Sequence, residues 1–354
     1  MTADSHLTRR LHRVSGYWID TAGCPGSGNI LLRHTAKGID LRVNHPAALV
    51  WSLCDGQRTL DDIVSLLGGA YATDAYSVRA IRVDVEQAVQ TLLRQGALQW
   101  IASTGYDIPI LLYHKVAEVI PPGNSLWISQ RRFAAQMASL SASGYNTVSF
   151  QDFLAYRHGL ASPPARPVIL TFDDGYADII RLVRPILDRY GFTATIFLIT
   201  NVIGKTQRMD NFWDPPEAHY GAEMLLWSEV SELAAAGYEF GAHTQSHPWL
   251  NAISLNQGRR EIAGSAADLR GHLGVMPRIF AYPFGDGAGV PRIETLVLEA
   301  GFAAAVSTRP GIANTLTSDI WALPRIKITE AHTLPPEGDN FSAQASSSGR
   351  SGQA

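Results

Sequence analysis

The sequence predicts an α/β protein in which a small winged-helix-like α+β domain is followed by a (β/α) barrel. Three observations support this fold class. Beyond residue 107, apolar strand patterns alternate with helical patterns, as in barrels of parallel strands. A glycine followed by an aromatic residue stands between such a helix and the next strand at Gly144, Gly191, Gly237 and Gly301. The first hundred residues differ, because short strands there flank three helical patterns.

The composition is that of an ordinary globular protein, with 46% hydrophobic and 17% charged residues. The net charge of −3 and the scattered Lys and Arg residues predict no nucleic-acid partner. The polar N-terminus has no signal-peptide pattern, and no run reaches the roughly 18 apolar residues of a membrane span, so we expect a cytoplasmic protein without such a span. Cys24 and Cys54 predict neither a disulfide framework nor a thiolate zinc site, and Cys54 is expected to be buried and inert.

Changes in composition divide the chain into segments. The predicted segments are a partly ordered lead at 1–24, the small domain at 25–102, a small and polar linker at 103–107, the large domain at 108–332 and a disordered tail at 333–354.

The small domain begins with two short strands within residues 30–43. Asn44 is then placed to cap a first helix, and Thr59 with Asp62 forms a capping box for a second. Gly96 ends a long third helix, and a returning strand follows.

These elements resemble the PqqD-like peptide-chaperone family over roughly residues 25–101, through Val43-Asn44, the turn Leu53-Cys54-Asp55-Gly56 and the pair Asp84-Val85. Members of that family bind a precursor peptide as an added strand and deliver it to a modifying enzyme. The resemblance therefore implies a peptide partner. A packing domain that has lost its partner is equally compatible with the sequence.

Beyond the linker, strand patterns and helix caps follow in order. The predicted strands are Ile110–Tyr113, Thr147–Ser149, Val168–Phe172, Ala194–Leu198, Glu239–Ala242, Ile279–Tyr282, Ala303–Ser307 and Arg325–Ile328. Ser129 and Ser228 are expected to cap two of the helices between them.

Two adjacent carboxylates, Asp173 and Asp174, follow a strand that is predicted to be buried on both faces. The next residue, Gly175, lets the backbone turn, so that both side chains can face the space above the strand end, where α/β folds bind ligands. Carboxylates this close repel each other, which favours a metal ligand beside a general base. For this tripeptide alone, a plain turn is equally compatible.

His243 and His247 also follow a predicted strand. At this spacing, two imidazoles on a helical turn face the same way and can bind one metal ion. Surface histidines with this spacing are common, but a position at a strand end of the same barrel favours the metal site. One carboxylate and two histidines leave a coordination position for water.

The motifs Thr171–Gly175 and His243–Pro248 together resemble the polysaccharide deacetylases, also called the NodB-homology family or carbohydrate esterase family 4, over roughly residues 108–332. The resemblance implies a distorted TIM-like deacetylase domain. It also implies metal-dependent removal of acetyl groups from N-acetylated carbohydrates or glycoconjugates.

Roles for four residues follow from this resemblance. Asp173 is implied to be the general base. Asp174, His243 and His247 are implied to bind one divalent metal ion, zinc in the first place, with cobalt or nickel as alternatives.

Two further motifs are similar to those of the family. Leu112-Tyr113-His114 resembles the Leu-x-His motif, here at the start of the domain as in the poly-N-acetylglucosamine branch, and implies that His114 is the general acid. A histidine packed at a strand end is the alternative. Ala281–Gly285 aligns with the Arg-x-Pro-Tyr motif, whose last backbone amide helps to bind the oxyanion.

This alignment implies oxyanion or substrate binding by Pro283 and Phe284, and Tyr176 after the aspartate motif is a third candidate. The arginine that orients the base in the family is replaced by Ala281. Arg325 is our candidate substitute, and a structural salt bridge is an equally supported role for it.

The predicted function is that of a metal-dependent hydrolase acting on carbon–nitrogen bonds other than peptide bonds, which removes an acetyl group from an amino sugar or glycoconjugate. An O-acetyl esterase of the same family is one alternative. A peptide-binding adaptor with a degenerate deacetylase scaffold is another, motivated by Ala281 and the PqqD-like domain. Trp213, Trp227, Trp249 and Trp321 are candidates for stacking on sugar rings, and equally for packing in the core or at a rim.

Overall fold

The structure, a computed structural model, describes residues 10–14, 17–20, 29–34, 39–72, 75–101, 105–120, 126–158, 160–205, 223–335 and 341. The chain divides into two compact units, Met1–Tyr106 with Ala155–Ser162, and Asp107–Leu154 with Pro163–Ala354. None of the helices in the described part of the chain combines the length and the apolar character that a membrane span requires.

The first unit contains two small antiparallel sheets and three helices. In chain order its elements are β1 (Arg10–Arg13), β2 (Tyr17–Asp20), β3 (Asn29–His34), β4 (Ile39–Asn44), α1 (His45–Leu53), β5 (Asp55–Thr59), α2 (Leu60–Tyr71), α3 (Ala75–Arg94) and β6 (Leu98–Ile101). The strand orders are β2-β3-β4 and β5-β1-β6. The α+β character agrees with the prediction, and the winged-helix-like arrangement stays a prediction.

The predicted helix caps of this unit are confirmed. The Asn44 side chain accepts a hydrogen bond from the Ala47 amide at 2.9 Å at the start of α1. At the start of α2, the Thr59 hydroxyl accepts from the Asp62 amide at 3.1 Å, and the Asp62 carboxylate accepts from the Thr59 amide at 2.8 Å. These bonds satisfy amide groups that the first turn of a helix leaves without intrahelical partners.

Cys54 is buried and free in the structure, and burial raises the pKa of its thiol to about 12. The thiolate, the reactive form, is therefore absent at neutral pH, as the sequence predicted. Cys24 lies outside the described residues.

The second unit is built on one parallel sheet. From Asp107 onward the strands are β7 (Asp107–Ile108), β8 (Ile110–Tyr113), β9 (Lys115–Ala117), β10 (Trp127–Ser129), β11 (Asn146–Thr147), β12 (Pro167–Phe172), β13 (Thr195–Leu198), β14 (Glu239–Ala242), β15 (Ile279–Ala281), β16 (Ala304–Val306), β17 (Ala313–Asn314) and β18 (Ile326–Lys327). The helices are α4 (Gln130–Ala142), α5 (Phe150–Arg157), α6 (Arg184–Asp188), α7 (Trp227–Ala235), α8 (Leu255–Leu273) and α9 (Pro291–Glu299).

The sheet has eight strands in the order β16-β15-β14-β13-β12-β8-β18, with β11 paired to β12. These are the eight strands that the sequence predicted, and their pairings are all parallel. The half-barrel confirms the prediction of an α/β fold with a distorted (β/α) barrel. Because the strands are parallel, the segments that follow β8, β12, β14, β15 and β16 meet at the same edge, where such folds place their sites.

One predicted helix cap is wrong. α7 begins at Trp227, and Leu226 is the residue that precedes it. The Glu229 carboxylate accepts a hydrogen bond from the Leu226 amide at 2.8 Å, so the helix starts earlier than the serine pattern suggested and Ser228 lies inside it. The cap predicted at Ser129 is confirmed, because its hydroxyl accepts from the Arg132 amide at 3.1 Å.

Two apolar residues within the predicted tail belong to the core of the second unit. Leu334 and Phe341 are buried, and the Phe341 ring lies 5.6 Å from that of Tyr145, edge to face. At these two positions the chain is packed.

Candidate active site

A cavity of about 220 Å³ lies at the carboxyl ends of the parallel strands. It is lined by six of the predicted site residues, namely His114, Asp173, Asp174, His243, His247 and Phe284. These residues belong to segments that follow different strands, from His114 after β8 to Phe284 after β15, so the parallel sheet brings them together.

The two aspartates diverge from the end of β12 through a left-handed turn. Asp174 has a φ of 77° and Gly175 a φ of 87°. A Cβ atom on Gly175 would lie 2.7 Å from the Leu198 side chain and 2.8 Å from that of Ile203. Glycine is required there by both the backbone conformation and the space, and the predicted turn is confirmed.

The histidine pair lies on a loop, so the predicted helical turn is wrong. Residues 243–247 have no helical assignment, and Thr244 and His247 have φ values of 63° and 59°. Side-chain oxygens, instead of the backbone carbonyls of a helix, accept the hydrogen bonds of the loop amides. The Glu261 carboxylate on α8 accepts from the amides of Gln245 at 3.0 Å and Ser246 at 2.8 Å. The Thr244 hydroxyl accepts from the His247 amide at 3.0 Å.

Three side chains form a candidate metal site. The Oδ1 atom of Asp174 lies 3.6 Å from Nε2 of His243 and 3.7 Å from Nε2 of His247, and the two Nε2 atoms are 3.1 Å apart. A tetrahedral ion with ligands at roughly 2.0–2.1 Å requires ligand separations of about 3.4 Å. The observed separations bracket this value, and carboxylate plus imidazole is a donor set that suits zinc. The three residues therefore fit a divalent metal ion.

The hydrogen bonding of His243 prepares it to bind a metal. Its Nδ1 atom lies 2.8 Å from the carbonyl oxygen of Ala281, which can only accept. Nδ1 therefore carries the hydrogen, and Nε2 presents a lone pair towards Asp174 and His247. Burial lowers the pKa of both imidazoles, which keeps them in the neutral form that metals require.

Asp173 is held by a buried, two-pronged ion pair. Arg325 donates from Nη1 to Oδ1 at 2.7 Å and from Nη2 to Oδ2 at 2.8 Å. Burial raises the pKa of Asp173, but the charge and hydrogen bonds of Arg325, together with the neighbouring His243 and His114, outweigh burial and lower that pKa to about 2. Asp173 is thus a carboxylate of fixed orientation at neutral pH.

The Arg325 guanidinium is itself held between strands. Its Nε donates to the Ser307 carbonyl at 2.9 Å, and Nη1 also donates to the Thr171 hydroxyl at 3.2 Å. Thr171 in turn donates to the Leu111 carbonyl at 2.8 Å. Arg325, which was predicted to substitute for the motif arginine, does contact Asp173. Ala281, at the position of the motif arginine, contacts Nδ1 of His243 through its backbone carbonyl oxygen.

Comparison with known proteins finds two family models that match parts of the chain. Residues 161–303 match the family model of the polysaccharide deacetylases, and residues 31–98 match that of coenzyme PQQ synthesis protein D (PqqD). Over residues 161–303 the chain is therefore similar to polysaccharide deacetylases. Both family resemblances of the sequence are thereby confirmed.

Individual relatives agree. The putative polysaccharide deacetylase YxkH of Bacillus subtilis is 29% identical over 226 residues, which are 63% of this chain and 71% of that protein. The poly-beta-1,6-N-acetyl-D-glucosamine N-deacetylase of Staphylococcus aureus is 27% identical over 217 residues, covering 57% of this chain and 68% of the relative. The second relative is named as an N-deacetylase, an enzyme that hydrolyses an amide carbon–nitrogen bond, and the predicted enzyme class is confirmed.

A solved structure shows the same fold. The Streptococcus pyogenes deacetylase PplD in complex with acetate is similar with a TM-score of 0.57 at 24% sequence identity. The match covers 68% of this chain and 99% of that chain.

Backbone strain is concentrated at the cavity of the second unit. Among the described residues, five non-glycine residues have positive φ, and Asp174, Thr244, His247 and Phe284 are four of them. The fifth, Arg166, precedes β12 at its opposite end. Each such conformation costs on the order of 1–3 kcal/mol, which folds tolerate mainly where a site requires it.

Phe284 and Pro283 lie on the turn after β15, but they differ in access to the cavity. Phe284 lines it, and the Phe284 ring centroid is 4.4 Å from that of His247. Pro283 is buried and does not line it. Tyr176 is also fully buried and is not among the residues that line the cavity, so its contact with a substrate stays a prediction. A tyrosine that follows an Asp-Asp-Gly turn can pack inward, which the sequence did not reveal.

Two polar residues of the cavity were missed by sequence reasoning. Lys327 and Thr308 both line it, and burial lowers the pKa of Lys327. Lys327 could have been predicted from the sequence, because it is two residues after Arg325 on a predicted strand and alternate residues of a strand share a face. Thr308 follows β16 without a motif, and no sequence signal marks it. Trp213 lies outside the described residues.

Proposed function

We propose that this protein is a metal-dependent N-deacetylase acting on an N-acetylated amino sugar or a glycoconjugate. One observation carries the proposal: a single cavity holds a three-residue metal site and, beside it, a carboxylate paired to its own arginine. Asp173 pairs with Arg325, whereas Asp174 lies with the two histidines, so the two aspartates are proposed to have different roles. The Staphylococcus aureus relative, named for poly-beta-1,6-N-acetyl-D-glucosamine, supports an amino-sugar substrate.

The proposed metal ion is zinc, held by Asp174, His243 and His247, with cobalt or nickel as alternatives. A divalent ion at such a site would lower the pKa of water to about 7 and polarise a carbonyl oxygen. Asp173 is proposed to take the proton that the attacking water loses. The ion pair with Arg325 fixes the orientation of the Asp173 carboxylate and keeps it ionised for that step.

His114 is proposed to protonate the departing nitrogen, because it lines the same cavity as Asp173. Burial lowers the pKa of His114 to about 3, although the charge of Asp173 opposes that shift. The resting imidazole is therefore neutral, and the proton that it delivers has to enter the site during turnover. The proton that Asp173 removes from water is a source for it. The backbone amide of Phe284 is the proposed further donor to the oxyanion.

The role of Arg325 can be tested with Arg325→Lys. Lysine keeps the positive charge but replaces a planar two-pronged donor by a point charge, so Asp173 loses its fixed orientation. We expect acetate release to fall by about 10–100-fold while the metal content stays that of the wild type. Kinetic assay with metal analysis checks this.

Arg259→Lys is the matched control, because Arg259 pairs with Glu299 on the exposed surface at 3.0 Å. Normal turnover in Arg325→Lys would make the buried pair a structural salt bridge only.

Comparing N-acetyl and O-acetyl substrates tests the reaction itself. We expect the wild type to release acetate from N-acetylglucosamine oligosaccharides in a chelator-sensitive manner, with kcat/KM above that for O-acetylated sugars of equal length. Enzymatic quantification of acetate measures both rates. A preference for the O-acetyl substrates would support the esterase alternative, and no release from either would contradict both enzymatic proposals.

A peptide-binding role of the PqqD-like unit is a second candidate, favoured by one feature. Within the described residues β4 pairs on one side, with β3. Beside it lies a cavity of about 440 Å³ lined by polar side chains that include Arg42, Asp84 and Gln87. An open strand edge next to a groove suits a peptide that adds as a strand. Metal content and acetate release decide whether such binding serves an enzyme or a degenerate scaffold.

A further inference from the structure

Helix α8 carries two carboxylates, Glu261 and Asp268, that contact the loop of the metal-binding histidines. We call this loop, residues 243–247, the histidine loop. Glu261 accepts three hydrogen bonds from it. Its Oε2 atom accepts from the amides of Gln245 at 3.0 Å and Ser246 at 2.8 Å, and its Oε1 atom accepts from the Ser246 hydroxyl at 2.7 Å. One side chain of α8 thereby fixes two consecutive peptide groups of the loop.

Asp268 lies about two helical turns further along α8 and holds the same loop through a side chain. Its Oδ2 atom accepts from Nε2 of Gln245 at 2.9 Å and from the Thr200 hydroxyl at 2.6 Å. Thr200 follows β13, and its amide donates to the Thr244 carbonyl at 3.2 Å. The Gln245 side chain lies against α8 at Gly264, where a Cβ atom would overlap its amide group. The histidine loop is therefore held both from α8 and from the segment after β13.

These contacts matter because the histidine loop has a strained backbone. Thr244 and His247 have φ values of 63° and 59°, in the left-handed region that residues other than glycine rarely adopt. Such conformations persist only where the surrounding structure imposes them. The conformation of the loop also sets the separation of 3.1 Å between the Nε2 atoms of His243 and His247. The hydrogen bonds from α8 therefore act on the arrangement of two metal ligands.

We infer that Glu261 and Asp268 are positioning residues for the metal site, which hold the histidine loop in its metal-binding conformation before the ion binds. This inference rests on the proposed function, because it concerns the metal ion that this function requires. Neither carboxylate belongs to the candidate ligand set. Without these acceptors, the loop would lose conformational freedom at the moment of binding, and that entropic cost would weaken metal affinity.

Competition between the full-length protein and a chromogenic zinc chelator measures the zinc dissociation constant and tests this role. Glu261→Ala removes the acceptor of two loop amides, so we expect the dissociation constant to rise about 10–100-fold. Glu261→Gln should restore most of the affinity, because one amide oxygen can accept both hydrogen bonds that Oε2 accepts. This recovery separates positioning from an effect of the negative charge, which glutamine lacks.

Asp268→Ala is the second test, and it decides the question if Glu261→Ala does not fold. It removes one side-chain acceptor, so we expect a smaller rise of about 2–10-fold in the zinc dissociation constant. Glu299→Ala is the matched control. Glu299 pairs on the exposed surface with Arg259 of the same helix at 3.0 Å, and its removal should leave zinc affinity unchanged.

Circular dichroism identifies the variants that fold. A wild-type zinc dissociation constant in folded Glu261→Ala or in Asp268→Ala would overturn the positioning role. Equal losses in Glu261→Ala and Glu261→Gln would overturn it as well, because the charge and not the acceptor geometry would then be responsible. If zinc affinity changes as expected but the wild type releases no acetate from N-acetylated substrates, the proposed function fails while the positioning role stands.

Discussion

Replacing Asp174, His243 or His247 by alanine is expected to abolish both metal retention and acetate release. Each residue supplies one of three ligand atoms that lie within 4.8 Å of one another in a buried site. Two remaining ligands hold a divalent ion weakly, and without the ion the water keeps its ordinary pKa. The loss of rate should exceed the roughly 10²–10⁴-fold that a single lost proton-transfer group causes. Elemental analysis of the purified variants, combined with an acetate assay, measures both effects.

Asp173→Asn is the matched control for this experiment. It is adjacent in sequence, similar in size and equally buried, but its carboxylate faces Arg325 and is not part of the ligand set. We expect it to retain the metal ion and to lose activity. Full metal occupancy in any of the three alanine variants would refute the ligand set, and near-normal turnover of Asp173→Asn would refute its role as the base.

His114→Ala is expected to keep the metal ion and the fold but to lose roughly 10²–10⁴-fold in the rate on an amide substrate. An amine leaves only when it is protonated, so the reaction depends on the imidazole. A phenolate leaves without much protonation, so the loss should be much smaller on an aryl acetate. Parallel assays of the two substrates, with circular dichroism and metal analysis of the variant, measure the difference.

The ratio of the two losses decides the role of His114. Equal losses on the amide and the ester would mean that the residue positions the substrate or supports the cavity wall. Loss of the metal ion would make it a fourth ligand. Thr308→Ala is a suitable control on the same wall, because the hydroxyl that it removes is a poor proton donor at neutral pH.

The elements that were predicted well are those whose pattern is local. The sheet strands follow runs such as Val168–Phe172, and the structure places the corresponding strand at Pro167–Phe172. The cap at Asn44 and the capping box at Thr59 also depend on residues three positions apart. Such interactions form between residues within one helical turn, so a short stretch of sequence is sufficient to predict them.

Two of the strands that were missed, β1 and β5, lack this kind of pattern. β1 (Arg10–Arg13) has one apolar residue, Leu11, and lies between β5 and β6. β5 (Asp55–Thr59) is polar throughout. Both are strands because backbone groups pair with a neighbouring strand, and pairing of this kind depends on a partner elsewhere in the chain.

The sequence by itself determined which residues lie at the candidate site, because parallel strands place the residues that follow them at one edge. Asp173, Asp174, His243 and His114 each follow a predicted strand, and the structure gathers them in one cavity. Strand direction predicts that these residues gather at one edge. Their individual roles were predicted from the resemblance to a family.

The tertiary structure alone decided how these groups are held. Arg325 meets Asp173 across 152 residues, and the His243–His247 loop takes its shape from Glu261 on α8. Trp249 meets Phe284 in the same way, through two loops that belong to different strands. Contacts of this kind depend on the order and twist of the strands and on which long side chain reaches across the sheet. Such contacts form only when the whole chain packs, so no local pattern of residues predicts them.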